Sequence, residues 1–285
     1  MFATAALAAR IERAECTMLM ELARAAAARL GRGEVVVAPI GGGVAVHTGP
    51  GSPANKLAGL GFGDFPPTAE LETIEEAFSL RHAPLQVEFA SLGDPAIPRM
   101  LSHRGYELIG FENVLGLPLD VARLQEIDGG GITIERAGPE DTSAWMDAVA
   151  TGFLYPDTFD GPASHESFSR EVIEQIFGDT FATPSFERFI ARRDGLVAGG
   201  ASLRIHQGVA QLAGAATLPD HRRQGVQTAL LRHRLLDAAR RGCDVAVVTT
   251  QPGSKSTENV QRFGFAVLYV RAILVKQMSS STSTS

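Results

Sequence analysis

The turn that follows Leu218 contains residue types and spacing suited to binding an anion. Arg222 and Arg223 precede Gly225, and a helical pattern begins near Gln224. The first N–H groups of a helix have no partners within it, and the positive end of the helix dipole favours anions there. A glycine allows close approach of a phosphate, and paired arginines can face a diphosphate. The turn therefore predicts a phosphate site. The alternative is two solvated arginines and a glycine that only ends a turn.

The segment before the turn favours a slender ligand. Four small residues, Ala213 to Ala216, lie in a strand-like run that ends before Pro219, which lacks a backbone N–H. Small side chains leave room for a ligand arm along the strand. The order of strand, turn, helix and apolar strand strengthens the prediction of a phosphate site.

This stretch resembles motif A of the GNAT acetyltransferases. The pattern of that motif is Gln or Arg, two variable residues, Gly, one variable residue, then Gly or Ala. Arg222 and Gly225 match it, whereas Gln227 departs from it at the last position. The resemblance extends over Ile132–Lys276 and includes the closing Arg262–Phe265.

The resemblance implies an α/β (α+β) chain with two GNAT-like domains, each a mixed, mostly antiparallel twisted sheet flanked by helices. It implies a gap between the strand ending at Leu218 and the strand ending at Thr250, with the pantetheine arm of acetyl-CoA inside. The coenzyme-binding residues expected from it are Ala216, Thr217, Leu218, Arg222, Arg223, Gln224, Gly225, Val226, Gln227, Thr228, Ser254 and Asn259.

Catalytic residues are harder to assign. The family often places a tyrosine, as general acid, four residues before the glycine of its Gly-Phe ending, and this chain has Val260 there. Candidates are Tyr155, Ser256 and Asn259, although Asn259 could equally cap a helix or contact the ligand. The strand Val209–Leu218 has no carboxylate to serve as a base, and the family can use a water chain instead.

The loop after Leu154 is a candidate for the acceptor side. Tyr155, Asp157 and Asp160 could line it, or the loop could be a surface connection rich in turn residues. His221 is expected to be exposed and Tyr269 to serve packing. Cys243, which precedes an apolar strand, is expected to be a buried small hydrophobic residue.

Composition limits the classes of function. A length of 285 residues suits two domains, and the net charge of −6 gives no basic footprint for nucleic acid. Two cysteines provide neither a disulfide framework nor a zinc site, so we expect no metal and a reducing, cytoplasmic compartment. No segment has the ~20 continuous apolar residues that span a bilayer.

A flexible junction at Asp128–Gly131 divides the chain. We expect a degenerate GNAT-like domain over 1–128, a coenzyme-binding GNAT domain over 129–278 and a disordered tail over 279–285. In the first half, Lys56–Gly63 leads to the turn Asp64–Pro67, which has no basic residue and no R-x-x-G spacing, so no coenzyme is expected there. A weak repeat aligns Arg104–Leu108 with Phe263–Val267, and chance similarity of two mixed domains is the alternative.

Periodicity predicts the individual elements. Helices are expected in the first thirty residues and at Pro67–Leu80, Pro95–Arg104, Pro139–Gly152 and Ser167–Phe177, with one after Gln224 and one before the last strand. Strands are expected at Glu34–Pro39, Gly43–His47, Lys56–Phe62, Gln86–Phe89, Tyr106–Leu108, Glu112–Leu117, Ile132–Arg136, Phe186–Arg192, Leu196–Ile205, Val209–Leu218 and Val245–Thr250.

Together these features predict an acetyl-CoA-dependent N-acetyltransferase that acts on a small amine or a peptide. A non-catalytic acyl-CoA-binding module is the second reading, and an interaction protein that binds no coenzyme is the third. The sequence identifies neither the acceptor nor the oligomeric state, which could be monomer or homodimer.

Overall fold

The computed structural model describes residues 2–122, 124, 131–156 and 168–277. The predicted junction residues Asp128–Gly130, the tail 279–285 and the acceptor-loop candidates Asp157 and Asp160 lie outside this range. Among the described residues, every helix is too short or too polar to cross a bilayer. The same residues contain no cluster of three His, Cys, Asp or Glu side chains suited to a metal ion.

Seven helices and eleven strands are found in the described residues. The helices are α1 (Ala5–Leu30), α2 (Thr68–Ser79), α3 (Ala96–His103), α4 (Thr142–Leu154), α5 (Arg170–Phe181), α6 (Val226–Arg240) and α7 (Lys255–Arg262). The strands are β1 (Val36–Ile40), β2 (Gly43–His47), β3 (Lys56–Ala58), β4 (Leu85–Ala90), β5 (Glu107–Pro118), β6 (Ile132–Arg136), β7 (Phe186–Arg193), β8 (Leu196–His206), β9 (Val209–Thr217), β10 (Val245–Thr250) and β11 (Ala266–Lys276).

The chain divides into two compact units whose residues are not continuous in sequence. The N-terminal unit contains residues 2–114 and the last strand from Val267, and the C-terminal unit contains described residues from Leu115 to Ala266. This division differs from the predicted domains 1–128 and 129–278, because each half of the chain supplies strand residues to the other unit.

The N-terminal unit has the strand order β1-β2-β3-β4-β11-β5. β1, β2 and β3 pair antiparallel, β3 and β4 pair parallel, and β11 pairs antiparallel with β4, with Arg271 opposite Ala90. Its core contains Leu57, Phe78 and Val87 together with Leu274 of the last strand. The C-terminal residues of the chain therefore complete this unit.

The C-terminal unit has the order β5-β10-β9-β8-β7-β6, with the end of β5 at one edge. β6 to β9 form an antiparallel meander, and β10 runs parallel to β9. Leu115 of β5 belongs to the core beside Leu203, Leu230 and Ala246. A second cluster surrounds the buried Trp145, whose Nε1 donates to the Phe189 carbonyl at 3.1 Å.

Most predicted elements are confirmed, with shifted ends that have local causes. β3 ends at Ala58 because Gly59 has φ +81°, and a Cβ there would lie 2.4 Å from the Cys16 sulfur. The two predicted strands around Gly110 are one continuous strand, β5. The helix predicted from Pro139 begins as a 3-10 turn before α4. α5 starts later than predicted, since Ser169 caps it by accepting from the Val172 N–H.

Candidate functional site

Two parallel strands of the C-terminal unit separate at their carboxyl ends. β9 and β10 pair from Val209 with Val245 to Gln211 with Val247, yet β9 continues to Thr217 and β10 to Thr250. The pairing register thus covers only the first residues of each strand. This confirms the gap that the sequence predicted.

β9 also bulges where it borders this gap. Gly200 pairs with Ala216 and Ser202 pairs with Ala213, so Ala201 faces two residues, Gly214 and Ala215. One residue opposite two is a β-bulge, which breaks the regular ladder and redirects backbone groups. The residues predicted to receive a slender arm therefore include a segment whose backbone is partly released from β8.

Gly214 is the residue that allows the bulge to pack. Its φ is +56°, and a Cβ there would lie 3.0 Å from Phe177 Cε1 and 3.2 Å from Ser202 Oγ. A left-handed conformation with so little space favours glycine. Phe177 of α5 thus lies directly against the bulge, and its ring contacts the Phe153 ring of α4 at a centroid distance of 5.6 Å.

The predicted phosphate turn leads into α6. Arg223 has φ +59° and Gly225, the N-cap, has φ +85°. The first helical hydrogen bond runs from Ala229 N to Gly225 O at 2.9 Å. The N–H groups of Val226, Gln227 and Thr228 precede that bond, and no described side chain caps them. The helix begins two residues later than Gln224, and uncapped N–H groups at a helix start favour an anion.

The two arginines of the turn have different surroundings. The Arg222 guanidinium donates to the carbonyl oxygen of Tyr155, the residue that ends α4. Arg223 is exposed beside the helix N-terminus. The structure therefore places Arg222 as a link between the turn and α4, and leaves Arg223 as the side chain available to a phosphate. The Arg222 contact also brings Tyr155, 63% exposed, to the edge of the turn.

Three of the predicted site residues, Ser254, Ser256 and Asn259, lie at or in α7. Ser254 caps α7 by accepting from the Thr257 N–H at 3.2 Å, so its hydroxyl serves the helix. Ser256 is exposed and Asn259 is half-buried, and neither is brought to the bulge by a described contact. Val260, which occupies the tyrosine position of the family pattern, is a core residue at 5% exposure.

Two hydroxyls along β8 and β9 are buried without hydrogen-bond partners among the described residues, namely Ser202 Oγ and Thr217 Oγ1. Native structures leave few such groups unpaired. Thr217 ends β9 between the bulge and the phosphate turn. An unpaired hydroxyl lies there, and the first N–H groups of α6 are uncapped. Gly225 has no Cβ to block close approach. These features fit a ligand that carries both phosphates and a polar arm.

Sequence reasoning missed the burial of Arg234 of α6, which is 1% exposed. Burial lowers the pKa of its guanidinium to about 9. The available signal was an arginine among Leu230, Leu231 and Leu235, positions whose spacing indicates a buried helix face.

Other expectations were tested at single residues. His221 is half-buried rather than exposed. Cys243 is buried as expected, and burial raises the pKa of its thiol. Tyr269 is 4% exposed and packs in the N-terminal unit, where its hydroxyl donates to Glu12 Oε1 at 2.6 Å.

The segment that holds the gap, the bulge and the turn also matches a known family. Residues 153–265 match the acetyltransferase (GNAT) family. The matched segment contains β7 to β10, α5, α6 and α7, and it includes Arg222 and Gly225. The match covers this segment only and states what the segment is similar to.

Several solved structures of GNAT proteins share the fold of the chain. A GCN5-related N-acetyltransferase from Kribbella flavida is similar with a TM-score of 0.61 and 24% identity, covering 89% of this chain and 95% of that one. A tandem GNAT protein from the clavulanic acid biosynthesis pathway has a TM-score of 0.59 and 13% identity, covering 85% and 80%. A GCN5-related N-acetyltransferase from Sphaerobacter thermophilus has a TM-score of 0.56 and 16% identity, covering 86% of this chain and 75% of that one. No curated protein matches the sequence.

Proposed function

We propose that the chain transfers an acetyl group from acetyl-CoA to a primary amine of a small molecule or peptide. The observation that carries the proposal is the continuity of the gap, the bulge at Gly214 and the uncapped start of α6. These three features follow one another along a single run of chain. Their order matches a ligand with an arm at one end and phosphates at the other.

The turn would hold the phosphates by backbone donors and one cation. The N–H groups of Val226, Gln227 and Thr228 point out of the helix start, where an anion is stabilised by the helix dipole. Arg223 adds positive charge from solvent, while Arg222 keeps the end of α4 against the turn. Backbone groups of β9 beyond its last pair with β10 would pair with the amides of the arm.

The chemistry requires little beyond alignment and proton movement. The amine nitrogen attacks the thioester carbonyl carbon, the C–S bond breaks, and the proton lost from nitrogen balances the one gained by the thiolate. Holding the amine and the thioester in line contributes much of the rate acceleration of such a reaction. Tyr155, which is 63% exposed and whose backbone carbonyl accepts from Arg222 of the turn, is our candidate for the proton donor.

The N-terminal unit is proposed to bind no coenzyme. In it the parallel pair β3 and β4 is followed by a hydrogen bond from Asp94 N to Gly61 O at 3.0 Å, which ties together the segments that would have to separate. α2 starts after Pro67 and carries Glu70 in its first turn, an unfavourable charge for a phosphate. Both observations support a structural role for this unit.

A non-catalytic acyl-CoA-binding protein is the second candidate. It is favoured by Val260, since that position packs in the core and offers no proton donor. It is also favoured by β9, which has no carboxylate along its length.

Calorimetric titration of the full chain with acetyl-CoA and with CoA tests the coenzyme site. Release of free thiol from acetyl-CoA in the presence of a panel of primary amines then tests transfer. Binding with amine-dependent thiol release is the expected result. Binding without release for any amine supports the second candidate, and absence of binding by the folded chain contradicts both.

A further inference from the structure

Arg234 is a buried cation held by backbone carbonyls. Its Nε donates to Leu230 O at 3.1 Å, and its Nη1 donates to Ser202 O at 2.9 Å and lies 3.5 Å from Ala213 O. Within the part of the chain that the structure describes, no carboxylate lies within ion-pair distance of it. An unpaired buried charge is costly. The dipoles of the carbonyl groups that it contacts must therefore compensate for the lost hydration of the charge.

The other large buried arginines have different partners. Arg271 pairs with Glu12 and Glu88. Arg204 donates to the side chains of Ser185 and Gln211. Arg234 donates to backbone carbonyls at the edge of the bulge.

The two carbonyls that share its Nη1 belong to one pair of the ladder. Ser202 is opposite Ala213, and the bulge begins with the next residue of β9, Gly214. A bulge leaves backbone groups without ladder partners. A guanidinium, with five donors in a rigid fork, can satisfy several carbonyls at once. Its position at this pair thus fixes the strand where regular pairing stops.

We propose that Arg234 is a positioning residue that holds the β9 bulge in the shape that receives the coenzyme arm. The inference rests on the proposed function. Because Arg234 belongs to α6, the helix that starts at the phosphate turn also carries the group that fixes the bulge. Phosphate binding and arm binding are thereby held in one geometry by one helix.

The test compares two ligands on Arg234→Met and Arg234→Lys variants of the full chain. CoA carries phosphates and the arm, whereas 3′-phospho-ADP carries the phosphates alone. We expect Arg234→Met to weaken CoA binding about tenfold while leaving 3′-phospho-ADP binding unchanged. Arg234→Lys retains a cation with fewer donors, and we expect an intermediate loss of CoA binding.

Arg204→Met is the matched control, since Arg204 is equally buried at 1% exposure and donates to the side chains of Ser185 and Gln211. It should leave the ratio of the two affinities at its wild-type value. Equal weakening of both ligands in the Arg234 variants, or no weakening relative to the control, would overturn the positioning role. If the Met variant fails to fold, the Lys variant decides by the same ratio. Failure of the wild-type chain to bind CoA would instead contradict the proposed function.

Discussion

The Arg271 guanidinium donates to Glu12 Oε1 at 2.9 Å, although 259 positions separate the two residues in the chain. The Tyr269 hydroxyl donates to the same oxygen. Both donors belong to β11, and the acceptor belongs to α1. The last strand is therefore bound into the N-terminal unit by buried polar contacts as well as by its pairing with β4.

This exchange of strand residues predicts that fragments 1–128 and 129–285 do not fold separately. The first lacks β11, and the second lacks Leu115, a core residue of the C-terminal unit. Co-expressed fragments should associate and recover cooperative unfolding, as measured by size-exclusion chromatography and near-UV circular dichroism. Cooperative unfolding of fragment 129–285 alone would contradict the exchange.

Arg271→Met should lower the free energy of unfolding by about 3–5 kcal/mol, because it leaves Glu12 and Glu88 buried without their guanidinium partner. Urea denaturation measures the loss. Arg170→Met, which removes an exposed ion pair with Asp147, is the control and should leave the midpoint unchanged. A loss no larger than in the control would show that the buried network contributes nothing.

Glu112, although 3.5 Å from Arg271, should make stability depend on pH in the opposite sense to a carboxylate whose pKa is lowered in the folded state. Burial, and next the charge of Glu88, raise its pKa from 4.5 to about 7. The folded state then keeps this proton to higher pH than the unfolded state does. Proton binding by Glu112 therefore stabilises the folded state fully below pH 4.5, and this stabilisation is lost as the pH rises to about 7. Between pH 4.5 and about 7, the free energy of unfolding of Glu112→Gln should rise by at most about 3 kcal/mol relative to that of the wild type. Denaturation of both proteins at several pH values measures the difference, and a constant difference would refute the shift.

Gly225→Ala should weaken CoA binding severalfold, because the added methyl lies at the helix start where the phosphates approach. Gly242→Ala is a matched control at the other end of α6, since the two glycines have φ +85° and +81° and neither has a close neighbour that blocks a Cβ. Each substitution should cost about 1–2 kcal/mol of stability through left-handed strain. Calorimetry with CoA should separate them, and equal affinities would argue against a phosphate site at this turn.

Arg223→Glu should weaken CoA binding about tenfold in low salt, and the effect should shrink as salt screens the exposed charge. Arg32→Glu, at an exposed position of the N-terminal unit, makes the same change in net charge and should leave affinity unchanged. Titrations at two ionic strengths measure both variants. A salt-independent loss would indicate that Arg223 acts through the shape of the turn rather than its charge.

The sequence by itself determined the local features of this protein. Strand and helix periodicity located most elements, and Arg222, Gly225 and the small residues before them predicted the phosphate turn and room for a slender ligand arm. These features depend on backbone conformation and on N–H groups within one short segment, so neighbouring residues suffice to specify them.

Only the tertiary structure decided which strands complete each unit and what the charged residues do. The pairing of β11 with β4, the contact of Arg222 with Tyr155 and the burial of Arg234 under the bulge all join residues far apart in the chain. Alternation of apolar residues predicts which face of a strand is buried but not which strand pairs with it. A charged residue is expected to be solvated, and only the packing of distant residues shows that it is buried.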